Sequence, residues 1–131
     1  MKRQVEDWLF LAQKDIDTVE IILKESHLTN IVAFHCQQAI EKYFKAYLLH
    51  HDKPLLKIHD LIKLYGMVKE IKDWNINEEL LAVVNEAYTE TRYPGELGLI
   101  STGMPTERQA IDFFDLAKKI EAKARKEIEI M

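Results

Sequence analysis

The sequence predicts an all-α protein, an antiparallel up-and-down helical bundle of four long helices plus a short fifth. Apolar residues recur with the helical period along nearly the whole chain. No stretch shows the strict alternation that marks a half-buried strand. Three of the four glycines fall between Arg92 and Met104, leaving the periodic segments almost free of breakers.

The first helix is expected over about residues 3–25. At about 100° per residue, Val5, Trp8, Leu9, Ala12, Ile16, Val19 and Leu23 fall in one arc. Phe10 and Ile21 lie nearly opposite, and their shared line points to a second contact surface, such as a subunit contact. The second helix starts at Thr29 or Asn30, either of which can cap free N–H groups. It runs to about His51 and stops ahead of Pro54, which disfavours helix at the residue before it. Ala39, Ile40, Tyr43, Phe44, Tyr47 and Leu48 form its apolar face. A shorter helix follows from His59 to about Ile71, with a break expected at Gly66. Asn75 and Glu78 read as a capping box for a fourth helix reaching about Thr91. Leu80, Val84, Ala87, Tyr88 and Thr91 line one side of it. The last helix begins at Pro105 or Thr106, since proline is favourable at a first helical position. Its stripe is Ala110, Phe113, Ala117, Ile120, Ala124 and Ile128. The stretch from Arg92 to Met104 is the longest irregular connection, a class of segment that often carries function.

A chain of 131 residues suits a single domain spanning 1–131. Burying roughly two-thirds of its unfolded surface, it needs no disulfide or metal to fold. The single cysteine, Cys36, excludes an internal disulfide framework and a zinc site of several thiolates, and reads as a small packing residue. No apolar run approaches the ~20 residues of a membrane span. The opening Met-Lys-Arg-Gln-Val-Glu-Asp-Trp has no signal-peptide core, so a reducing cytoplasm is expected. The net charge of −4 is partitioned. Residues 42–72 hold seven lysines against three acids, and residues 73–107 hold seven acids against Arg92 alone. This composition excludes a broadly basic nucleic-acid binder. The local basic segment can still attract a phosphate, because screening confines its field to about 8–10 Å; it is equally what a solvated face looks like.

His35, Gln38, Lys42 and Lys45 fall together on the second helix, opposite its apolar arc, and offer the donors and positive charge that a phosphate or a base edge requires. Gln37 lies inside the apolar arc, where its amide either bonds a neighbouring backbone or serves a ligand. Asp60 suits a helix N-terminus, beside the imidazole of His59. His50, His51 and His59 lack the spacing of metal ligands. Arg92 is either held by Glu86, Glu90 or Glu96, or forms a phosphate fork beside a Tyr93 ring able to stack on a base. No Gly-rich phosphate loop, Ser-x-x-Lys or His-Glu-x-x-His pattern occurs.

In order, Trp8 and Ala12, Ala33-Phe34-His35-Cys36-Gln37-Gln38-Ala39-Ile40-Glu41-Lys42, His59-Asp60-Leu61 and Thr91-Arg92-Tyr93-Pro94 resemble the HEPN domain, the higher eukaryote and prokaryote nucleotide-binding family. The resemblance covers nearly the whole chain. It implies an all-α bundle, often a homodimer, and in small prokaryotic members a minimal nucleotidyltransferase partner in a module resembling a toxin–antitoxin pair. Other members are metal-independent ribonucleases marked by an arginine followed after four to six residues by a histidine. Here the corresponding positions after Arg92 are Leu97, Gly98 and Leu99, and no other arginine completes the motif. The expected function is therefore nucleotide or RNA phosphate binding through His35, Gln38, Lys42, Lys45, His59, Arg92 and Tyr93, without cofactor, metal or assigned catalytic residue. The alternatives are a ribonuclease with a divergent arginine–histidine site and a non-catalytic helical interaction or dimerisation protein.

Overall fold

A computed structural model describes residues 2–54, 57–92 and 104–128. Among them are five α-helices and no strand: α1 (Arg3–Ile22), α2 (Thr29–His50), α3 (Leu61–Ile71), α4 (Glu78–Arg92) and α5 (Glu107–Ile128). Lys2 meets Leu49 and Asp52 while Asp15 meets His35 and Lys42, so α1 and α2 run antiparallel. Gln13 bonds Arg125 and Glu20 pairs with Lys118, so α5 is also antiparallel to α1. The result is the up-and-down bundle expected, with α3 as the short extra helix.

The central member is α2, which touches all four other helices. Its whole expected apolar face is buried, and Val32, Ala33 and Cys36 extend that face a further two turns toward the helix start, with Ala46 buried at its edge. The Phe44 ring stacks on Tyr65 at 5.5 Å, and Tyr47 meets Trp74 edge-on at 4.8 Å. Each such ring, fully buried, contributes about 1.5–3 kcal/mol. The stripes of α1 and α5 are buried or half-buried as expected, while Phe10 and Ile21 stand exposed.

Several boundaries differ from the sequence expectation. The first helix ends at Ile22; Glu25 is extended, and Ser26–Leu28 wind a single 3-10 turn before α2. Thr29 is the first residue inside α2, with Leu28 at the cap position and no side chain capping it. The third helix starts at Leu61, since Asp60 caps it by accepting from the N–H groups of Ile62 (2.8 Å) and Lys63 (3.3 Å). It passes through Gly66 unbroken. Asn75 is no cap. Its φ of 56° lies in the left-handed region, and Asn77 caps α4 instead, accepting from Leu80 N–H at 3.0 Å. Leu81, outside the face expected from the sequence, is buried together with Val84. Pro105 precedes the last helix rather than starting it. Thr106 and Gln109 form a reciprocal capping box there, each side chain accepting from the other's backbone N–H at 3.0 and 2.9 Å.

The turn between α3 and α4 is organised by one hydroxyl. Tyr65 donates to Asp73 at 3.0 Å and accepts from the N–H groups of Trp74 (3.2 Å) and Ile76 (3.4 Å). Asp73 in turn accepts from Asn75 N–H at 2.8 Å, fixing the left-handed residue.

Candidate functional site

Four of the residues singled out in the sequence lie along α2, and α1 is laid across that row. This differs from a free polar face opposite the core. Because α2 is the central helix, its polar row is an internal seam with one open edge. Lys42 places its ammonium 2.5 Å from Asp15, and His35 places Nδ1 2.8 Å from the other oxygen of the same carboxylate. Asp15 itself is buried. Lys45 is buried too, 2.9 Å from Glu41 and 5.7 Å from the centre of the Trp8 ring. The expected loose cationic row is thus two lysines balanced by two carboxylates.

The segment before α3 closes the other side of this seam. His59 turns Nδ1 to Glu41 at 3.0 Å while its ring remains 70% exposed. Gln37, fully buried, donates to the His59 carbonyl (3.3 Å) and to Glu41 (3.2 Å), and accepts from Gln38 at 2.7 Å. Its amide is therefore the backbone link that the sequence left as one of two readings. Asn85 from α4 accepts from Leu61 N–H at 3.1 Å, so α4 is pinned beside the same corner. With Asp60 capping two further groups, the first N–H groups of α3 are already engaged by the chain.

Chemically the strip is two carboxylates, each shared between an ammonium and an imidazole. A carboxylate on Nδ1 fixes the ring's orientation and directs Nε2 outward, toward a hydrogen-bond acceptor or a proton. Cys36 sits beneath. Burial first and the nearby Asp15 charge second push its thiol far above the ordinary range, so it is packing rather than a nucleophile. Sequence reasoning missed Asp15 and Glu41. Glu41 was legible as the i,i+4 partner of Lys45, whereas Asp15, on the edge of the α1 apolar arc, had no local signal. Arg92 ends α4, but its side chain, like Tyr93 entirely, lies outside the described residues.

The HEPN domain family model matches residues 5–127, taking in the helices nearly end to end. The chain belongs to the HEPN domain family. As a HEPN domain it is a nucleotide- or RNA-related module. No characterised protein and no solved structure matches the chain. Among the described residues of this HEPN domain, no helix is long and apolar enough to cross a membrane.

Proposed function

We propose that this HEPN domain binds the phosphate of a nucleotide or an RNA along the α2 strip. In this reading it acts as a homodimer paired with a minimal nucleotidyltransferase, in a toxin–antitoxin-like module of the cytoplasm. The observation that carries the reading is the exposed His59 imidazole, held by buried Glu41 beside Gln37, Gln38 and Lys45. His59, His35, Gln38 and Lys42 present donors, and Lys45 acts through Glu41 as a positioning residue. Arg92 and Tyr93 are included in the proposed site on the strength of the Thr91-Arg92-Tyr93-Pro94 resemblance, as a phosphate fork beside a ring able to stack on a base. The missing arginine-to-histidine spacing favours binding over cutting. Titration with ATP and with a 5′-phosphorylated RNA at two salt concentrations tests this. Binding that weakens with salt supports the reading, and no binding at low salt, with the nucleotidyltransferase present, defeats it.

One observation favours a second reading, the metal-independent ribonuclease. Two imidazoles, each oriented by a carboxylate, form the arrangement used for proton transfer. RNA cleavage in the presence of a chelator, lost in His59→Gln, would select it.

A further inference from the structure

One face of α1 is left uncovered by the bundle. Asp7, Phe10, Lys14, Asp17 and Ile21, continued by Lys24 in the turn after the helix, are spaced alternately by three and four residues. That spacing keeps the five helical residues on a single line of the helix surface, and Lys24 follows it just past the cap at Leu23. All six are exposed, Phe10 at 61% and Ile21 at 80%. The line lies on the side of α1 opposite buried Ala12, Ile16 and Val19. Among the described residues, none of its four charged members forms an ion pair within the chain. Lys14 instead reaches over the Phe10 ring at 4.7 Å, and Asp17 accepts from Gln13 at 2.8 Å.

Arg3, exposed and four residues before Asp7, opens the same line and has no counterpart in the pairing that follows. From Asp7 onward the order is acid, apolar, base, acid, apolar, base. Reversed, it reads base, apolar, acid, base, apolar, acid, its own complement. A second copy of α1 laid antiparallel therefore sets Asp7 against the partner's Lys24, Phe10 against the partner's Ile21, and Lys14 against the partner's Asp17. A two-fold axis beside Asp15 and Ile16 repeats each contact. A parallel pair would instead set like charge on like. We propose that two copies of this chain associate through α1 as an antiparallel two-fold pair in this register.

The proposal deepens the homodimer reading by naming its face, and it is independent of the phosphate strip. Sedimentation velocity over a concentration series, on the full chain, tests it. Circular dichroism checks that each variant is folded. The wild type is expected to dimerise. Lys14→Glu sets an acid against the partner's Asp17, and Asp17→Lys sets a base against the partner's Lys14. Each change, repeated by symmetry, should weaken the dimer roughly tenfold or more. An equimolar mixture of the two variants restores complementary pairs in both halves and should form a heterodimer. The double variant should dimerise with itself. A wild type that stays monomeric overturns this face and the homodimer reading together. A dimer that ignores both single reversals, or variants that fail to rescue each other, overturns the face and register alone.

Discussion

Glu41 accepts from three donors at once, Gln37, Lys45 and His59, while itself buried. Removing only the carboxylate strands a buried ammonium and costs the Gln37 amide one of its two acceptors, the His59 carbonyl remaining. Glu41→Ala should therefore cost about 3–5 kcal/mol, read as the shift in the denaturant midpoint. Replacing the pair together, as Glu41→Leu with Lys45→Met, removes both charges and should recover most of that loss. Equal destabilisation by the single and the paired exchange would show that Glu41 acts on something other than Lys45. Asp15 plays the matching part for Lys42 and His35, though at a more open edge. Neither acid belongs to the polar row read from the sequence. A helical wheel reports which side of its own helix a residue occupies, whereas Asp15 meets Lys42 and His35 from another helix and Glu41 gains His59 from the segment before α3.

At the scale of elements, the junction between α3 and α4 depends on the Tyr65 hydroxyl. Tyr65→Phe keeps the ring on Phe44 but leaves the Trp74 and Ile76 N–H groups and Asp73 short of a partner. The loss should be about 1–3 kcal/mol by chemical denaturation. The Asn75 backbone N–H first, and the Tyr65 hydroxyl second, hold the Asp73 carboxyl below its ordinary range. A carboxyl depressed in the folded state contributes its full stabilisation above its unfolded value, and loses it as pH falls through the folded one. The stability gap between the wild type and Asp73→Ala should thus be full above about pH 4 and shrink in stronger acid. A gap that widens on acidification would contradict this. Thr106→Ala removes half of the capping box of α5 and should cost about 0.5–2 kcal/mol.

The elements themselves were legible because apolar period is a property of one helix: the α2 and α5 stripes are buried at every expected position. Their ends were less so. The break expected at Gly66 needs a turn, whereas packing of Leu64, Tyr65 and Val68 carries the helix through it. Asn75 resembled a cap by spacing alone, and its left-handed backbone answers to Asp73 and Tyr65.

At the scale of the whole molecule, the charge partition takes on a different meaning. The excess of lysine over residues 42–72 implies a cationic patch, yet Lys42, Lys45, Lys69 and Lys72 are each paired with an acid from outside that range. Such pairing is invisible to a count along the chain, since Asp15 and Glu127 are remote from it in sequence. The strip is therefore a compensated site, in which a phosphate competes with Asp15 for Lys42. That competition gives an unusual sign. Asp15→Asn keeps the oxygen acceptor but removes the competing charge, so it should tighten binding of a 5′-phosphorylated RNA at low salt by roughly 3- to 10-fold. Lys42→Met should weaken it by a similar factor and flatten its salt dependence. The decisive measurement is fluorescence anisotropy of that RNA against the wild type, Asp15→Asn and Lys42→Met at two salt concentrations. Opposite shifts of the two variants are predicted; no low-salt binding, or one affinity for all three proteins, would contradict the account.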